Sequence, residues 1–244
     1  MKYGVFSDVH GNYEALKVVL EFYHRHGISD FICCGDIVGY GPQPLECVEA
    51  LAGLERLHIV LGNHDGALTG RINVKWFNFN AAAAIEFARA KLTGAALDFL
   101  ARLPEKIETG EFTLVHGSPR KPLTEYVLSE NQFADNAAFW KASPCFVGHS
   151  HMPMYFSLQE GELPETDFLK PMMRISTETG RVMLNPGSVG QPRDGDPRAA
   201  CAIYDAERKV FELYRIFYDV EATQLMMGEA KLPAMLAERL SFGY

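Results

Sequence analysis

The sequence predicts an α/β protein with two β-sheets, on three observations. The first sixty residues alternate between short apolar runs and stretches of helical spacing, as parallel strands joined by helices do. Each of those apolar runs stops in a cluster of polar residues. Beyond His151 strand-like runs follow one another, which suits a second sheet built largely from antiparallel neighbours.

Residues 2–7 alternate and end at Ser7-Asp8, a first strand. Asn12 to His26 places Leu16, Val19, Leu20 and Tyr23 at helical spacing, and Gly27 reads as the C-terminal cap. His24, Arg25 and His26 fall in its last turn, where cations favour the helix dipole, so both histidines read as structural. Phe31 to Cys34 forms a second strand that stops at Gly35-Asp36. A helix follows from Pro42 to Leu54, and a third strand, Leu57 to Leu61, stops at Gly62-Asn63. His58 opens that strand and matches no motif.

Residues 78–103 read as two helices with core-facing Ala and Leu stripes. Just before them, Trp76, Phe77 and Phe79 suit a base-stacking surface, although a buried apolar cluster is the commoner outcome. Strands return at Phe112 to Val115, before His116-Gly117, and at Cys145 to Val147, before Gly148-His149-Ser150-His151. Further strands are expected at Met154 to Leu158, 181–184, 199–204 and 210–218. Residues 159–171, rich in Glu and Pro, read as an exposed excursion. The tail from 219 reads as one or two amphipathic helices, with Leu225, Met226 and Met227 covering the core. No repeat or linker breaks the chain, so residues 1–244 are expected to form one domain.

Composition narrows the function. At 48% hydrophobic and 22% charged residues the chain has ample material for a core. Its formal net charge of −8 argues against a nucleic-acid surface, which relies on clustered Lys and Arg. A small phosphorylated substrate stays open, because a metal ion supplies positive charge locally. No signal peptide and no membrane span is apparent, and the five cysteines include no CxxC pair. We expect a cytoplasmic protein with reduced core cysteines; its oligomeric state is open.

In α/β sheets ligands gather beyond the carboxyl ends of the strands. The residues there are Asp8 and His10, Asp36, Asn63 to Asp65, His116, and His149 and His151. Imidazole, carboxylate and amide oxygen form a ligand set for transition metals, and the lack of cysteine argues against a structural zinc site. Seven candidate ligands with one shared carboxylate exceed the needs of one ion and suit two.

These segments, DxH, GD, GNHD, H and GHxH in that order, resemble the calcineurin-like metallophosphoesterase superfamily. The resemblance spans roughly residues 2–152, and Asn185 to Arg193 is similar to a segment of its compact bacterial and archaeal phosphodiesterase-like branch. It implies a four-layer αββα sandwich of two mixed β-sheets flanked by helices. It also implies two divalent transition-metal ions, drawn from Mn, Fe, Zn or Ni. Asp8, His10 and His151 would hold one ion, Asn63, His116 and His149 the other, and Asp36 would bridge them. His64 would protonate the leaving oxygen or stabilise phosphoryl charge, beside Asn63 and Arg193 as substrate contacts, and Asp65 would orient His64. The implied reaction is hydrolysis of a phosphodiester or phosphoanhydride, with nucleotides and dinucleoside polyphosphates as candidate substrates, by a metal-bridging hydroxide.

A phosphomonoesterase, a Ser/Thr protein phosphatase and a metal-binding scaffold without activity are the alternatives. Arg193 is equally readable as a surface partner of Asp194 or Asp196, and Arg120 carries the same ambiguity. Tyr40, in Gly39-Tyr40-Gly41-Pro42, reads first as part of a turn leading into a helix.

Overall fold

A computed structural model describes residues 1–244. The chain opens with β1 (Lys2–Phe6), α1 (Tyr13–Arg25), β2 (Asp30–Cys33), α2 (Pro44–Ala52), β3 (Leu57–Ile59) and α3 (Asn63–Leu68). It continues through α4 (Phe79–Lys91), α5 (Gly94–Arg102), β4 (Lys106–Glu108), β5 (Thr113–Val115), α6 (Glu130–Asn136) and β6 (Cys145–Phe146). Next come β7 (Pro153–Leu158), β8 (Glu165–Phe168), β9 (Arg174–Ser176) and β10 (Arg181–Pro186). It ends with β11 (Ala199–Asp205), β12 (Val210–Ile216), α7 (Val220–Glu229) and α8 (Ala234–Glu238). The strands form two six-stranded mixed sheets, ordered β3-β2-β1-β11-β12-β9 and β4-β5-β6-β10-β7-β8.

Strand side chains alternate between faces, and in the first sheet both faces are buried. Phe6, Phe31 and Cys33 point into a core shared with Leu16 and Val19 of α1, Leu51 of α2 and Leu100 of α5. Tyr3, Val5 and Ile32 point the other way, against Leu114, Phe146 and Leu184 of the second sheet. Each such Phe or Leu contributes about 1.5–3 kcal/mol through burial. The outer face of the second sheet is covered by α6 and the segment after it, through Phe133 and Trp140 against Met154 and Phe156. The four layers expected of the fold are present, the fourth being thin.

Helix α1 is pinned to the first sheet by Tyr23, whose hydroxyl donates to Val5 O at 2.8 Å. Its ring lies 2.9 Å from where a Cβ on Gly4 would stand, so only glycine admits it there. Asn12 caps the helix from Ala15 N, and Gly27 follows it at φ +67°. His26 donates from Nδ1 to Phe22 O at 2.8 Å, and His58 packs edge-on against Tyr3 and Phe112. All five cysteines are free and buried. No helix is long and apolar enough to cross a membrane.

Several expectations change. Helix α2 starts at Pro44, because residues 41–43 belong to the turn that follows Tyr40. The strands after His151 do not share one sheet: β7 and β10 extend the second, whereas β11 and β12 return to the first, where β11 pairs antiparallel with the otherwise open edge of β1. The excursion at 159–171 contains β8, an edge strand paired with β7. In the tail, Met227 is buried with Leu232, Leu236 and Leu240 against Tyr40, Ala81 and Ala84, while Leu225 faces solvent.

Candidate metal centre

The loops that leave β1, β2 and β3 meet those that leave β5 and β6, and the polar residues of both sheets converge there. Asp8, His10, Asp36, His149 and His151 all have φ between 51° and 67°, a left-handed conformation uncommon for residues with a Cβ. The loops hold one another in it: Asp8 N donates to Gly35 O at 3.0 Å and His10 N to Asp36 O at 3.0 Å. Gly62 and Gly148 permit the crossing, since a Cβ on either would collide with Asp36 Oδ1 or Ser7 Oγ.

Three overlapping groups could each hold a metal: Asp8, His10 and His151; His10, Asp36 and His64; Asp36, His116 and His149. His10 Nε2 lies 3.1 Å from His151 Nε2, which is 3.3 Å from Asp8 Oδ1. His116 Nε2 lies 3.1 Å from His149 Nδ1 and 2.9 Å from Asn63 Oδ1. Asp36 Oδ2 stands between the two sets, 3.6 Å from His10 Nε2 and 3.4 Å from His116 Nε2.

The tautomers follow from what lies behind the rings. His10 Nδ1 donates to Val38 O at 3.0 Å, His116 Nδ1 to Cys34 O at 2.9 Å and His151 Nδ1 to Gln191 O at 2.6 Å. Each Nε2 is therefore the nitrogen turned inward, as a backbone carbonyl behind a metal-ligating histidine arranges, and it offers a lone pair there when the ring is neutral. Asp8 Oδ1 is buried with no hydrogen-bond partner, while Oδ2 accepts from His149 N at 3.1 Å. Lone pairs converging on an orphaned carboxylate oxygen fit a divalent cation.

Burial would depress His116, but Asp36 outweighs it and lifts the imidazole to about 9. Asp36, despite its own burial, is held below the usual carboxylate range by His116 and His64. Burial raises Asp8 to about 7, and lowers His149 to about 3 and His64 to about 4.

The centre opens into a cavity of about 290 Å³. His64 lines it; its N–H donates to Asp36 Oδ1 at 2.9 Å, its ring stands edge-on to His10 and Phe77, and its Nδ1 is buried without a partner. The expected Asp65 to His64 hydrogen bond is not formed. Asp65 spends its carboxylate on backbone, accepting from Ile37 N at 2.9 Å, Val38 N at 3.2 Å and Gly62 N at 3.0 Å. It fastens the GNHD turn to the Asp36 loop.

Arg193 also lines the cavity, donating to Gln191 Oε1 at 3.1 Å and Tyr40 Oη at 3.4 Å. Its expected surface partners are engaged elsewhere, Asp194 with Arg215 and Asp196 with Arg198. Tyr40, at φ +58°, forms both the turn and part of the cavity wall. Trp76 and Phe77 line the cavity too; Phe77 packs partly buried against the apolar clusters, as expected, whereas Trp76 and Phe79 are exposed at 75% and 83%.

The model of the calcineurin-like phosphoesterase superfamily domain matches residues 1–209, which include every candidate ligand and every cavity-lining residue described above. The chain belongs to that superfamily. The uncharacterized protein MJ0912 of Methanocaldococcus jannaschii is 36% identical to this phosphoesterase-family chain over 244 residues, 98% of it and 97% of the relative. A metallophosphoesterase from Sphaerobacter thermophilus superposes with a TM-score of 0.89 at 39% identity, covering 100% of this chain and 99% of its own. The symmetrical bis(5′-nucleosyl)-tetraphosphatase of Buchnera aphidicola (strain Tuc7) is 44% identical over 61 residues, 24% of this chain and 22% of that protein.

Tyr126 is the residue of this phosphoesterase fold that sequence reasoning missed. It stacks on His149 with ring centroids 3.8 Å apart and planes 12° apart, and it lines the cavity. A lone tyrosine in a loop outside any motif carries no signal. Asn185 and Ser188 lie in the segment 185–193, where the sequence alone assigned them no role. Asn185 Nδ2 donates to Gly148 O at 2.6 Å and Ser188 Oγ to Asp8 O at 2.7 Å, which ties the end of β10 and the turn after it to both ligand loops.

Arg120 is absent from the cavity wall; it pairs with Glu125 at 2.5 Å, and Glu125 also accepts from Ser118 Oγ at 2.5 Å and Asn136 Nδ2 at 3.1 Å. The Arg120 hydrogen bond foremost holds the Glu125 carboxyl at about 2, below its ordinary value. A carboxylate depressed on folding adds stability above its unfolded pKa of about 4.3, and that contribution disappears as pH falls through the folded value. The stability difference between the parent and Glu125→Gln is therefore expected to be full above about pH 5 and to vanish near pH 2, measured by denaturant melts across that range. A difference that does not change with pH would contradict the role of this carboxylate.

Proposed function

We propose that this chain hydrolyses a phosphodiester or phosphoanhydride bond of a small phosphorylated compound at a centre of two divalent transition-metal ions. The observation that carries the proposal is Asp36 Oδ2 between His10 Nε2 and His116 Nε2, a carboxylate shared by two sets of inward lone pairs. Asp8, His10 and His151 would hold one ion, and Asn63, His116 and His149 the other. Such cations supply Lewis acidity toward phosphoryl oxygens and acidify water.

The chain's own groups do the rest. His64 meets the substrate from the cavity wall and hydrogen-bonds the leaving oxygen, the position of a general acid. Arg193 offers a planar fork of donors to a phosphoryl oxygen pair. Tyr40 and Gln191 fix that fork from behind, and the α7–α8 tail packs against Tyr40. Asp65 sets the backbone from which Asn63 and His64 diverge. The short match to a bis(5′-nucleosyl)-tetraphosphatase supports nucleotides as substrates.

The test strips the protein of metal and reloads it with Mn²⁺, Zn²⁺, Fe²⁺, Ni²⁺ or Mg²⁺. Ions are counted, and a phosphodiester, a phosphomonoester and a dinucleoside polyphosphate are assayed in parallel. The expected result is two ions per chain with turnover of the diester or the polyphosphate. Preference for the monoester would replace the reaction class, fewer than two ions would overturn the ligand assignment, and two ions without turnover would make the chain a scaffold.

A further inference from the structure

The cavity wall is asymmetric in its chemistry. Among its lining side chains Arg193 is the single Lys or Arg, and its charge acts on His64, His149 and His151. The wall then continues as aromatic surface: Phe77 stands edge-on to His64 with centroids 4.9 Å apart, and Trp76, next in the chain, is 75% exposed. With Tyr126, also exposed on this cavity, Trp76 and Phe77 give a charged centre a solvent-facing aromatic wall, and an exposed apolar surface of that kind marks a place where a ligand sits.

Two polar groups lie beside it on the same wall. Asn78 Oδ1 accepts from Ala81 N at 3.0 Å to cap α4, which leaves its amide NH₂ free to donate. Thr124 lines the cavity as well, and its hydroxyl has no partner within the chain. The matching ligand carries negative charge at one end and a flat, uncharged ring with hydrogen-bonding edges at the other. A polyphosphate running outward would cross a wall with no further cation.

We infer that Trp76 is a stacking platform for the base of a nucleoside joined to a single phosphate, with that phosphate at the metal centre and beside Arg193. This rests on the phosphoesterase reading above and narrows its substrate class. Asn78 and Thr124 meet the edge of the base, and Phe77, edge-on to His64, lines the path between the platform and the centre.

The chain has two tryptophans, and Trp140 is buried beneath Arg181, so a fluorescence change on ligand binding reports Trp76. The Zn²⁺-loaded protein is titrated with the non-hydrolysable 5′-methylenephosphonate analogues of adenosine 5′-monophosphate and of ribose 5-phosphate, and with phenylphosphonate. Base stacking predicts that the adenosine analogue binds about 5- to 150-fold more tightly than the ribose analogue and quenches emission. Read by titration calorimetry, which needs no tryptophan, that ratio falls toward one in Trp76→Ala, and Trp76→Phe keeps most of it. Equal binding of the two analogues to the parent, an undiminished ratio in Trp76→Ala, or phenylphosphonate matching the adenosine analogue would each overturn the platform. So would a Trp76 already shielded from acrylamide in a dimer. Diester hydrolysis without base preference would remove the platform and leave the phosphoesterase reading standing. The predicted ratio without hydrolysis of any ester would do the reverse.

Discussion

Asp36→Asn is expected to lose both ions together and with them essentially all turnover. Asparagine keeps its carbonyl oxygen as acceptor for His64 N, which Asp36 Oδ1 now fills at 2.9 Å. Its NH₂ group then takes the place of Oδ2 between His10 Nε2 and His116 Nε2, where it offers no lone pair and removes the shared charge. Changing a residue that merely supports a ligand typically costs 10- to 100-fold in metal affinity, so a shared ligand is expected to cost at least about 100-fold at each ion. Elemental analysis after dialysis reads the outcome directly. Retention of one ion at its original affinity would make Asp36 a ligand of a single site and contradict bridging.

His64→Ala is expected to keep two ions and the fold while turnover falls by about 10²- to 10⁴-fold, the usual span for a positioned proton-transfer group. Counting ions matters, because His64 also groups with His10 and Asp36 within reach of one cation. Loss of an ion would make His64 a ligand, and unchanged turnover with both ions present would remove it from the reaction. Its Nδ1 has no protein partner, so its orientation comes from packing against His10, Tyr40 and Phe77. Phe77→Ala is accordingly a milder lesion of the same kind.

What the sequence discloses about such a site has a physical boundary. The residues gathered at the centre were legible because each follows a buried apolar run, and polar groups there have no reason to exist beyond a ligand. Asp65 illustrates the limit. The spacing placed it beside His64, but the turn it belongs to aims its carboxylate at the amides of Ile37 and Val38. Tyr126 was invisible because stacking depends on where a loop returns, which no periodicity encodes. Trp76 and Phe79 read as core because aromatic residues usually are, and only their placement shows them exposed. The late strands were recognisable as strands, yet their alternation says nothing of which sheet receives them. β11 joins the first sheet because β1 offers it an edge, and β9 and β4 left no pattern because they are partly exposed edge strands without a buried apolar run.

That return of β11 also orders events during folding. Strand β1 lies in the middle of its sheet, with Lys2 opposite Asp205 and Val5 opposite Ala202. Until the chain has been synthesised past β11, the ribosome-bound portion carries β1, β2 and β3 with one edge unsatisfied and Asp8 at the tip of an incomplete sheet. Contacts between such distant segments close slowly, and an unpaired strand edge invites pairing with other chains in the interval. A nascent or truncated form ending before residue 199 is thus a candidate client for chaperones, although it already contains every proposed ligand for the two ions.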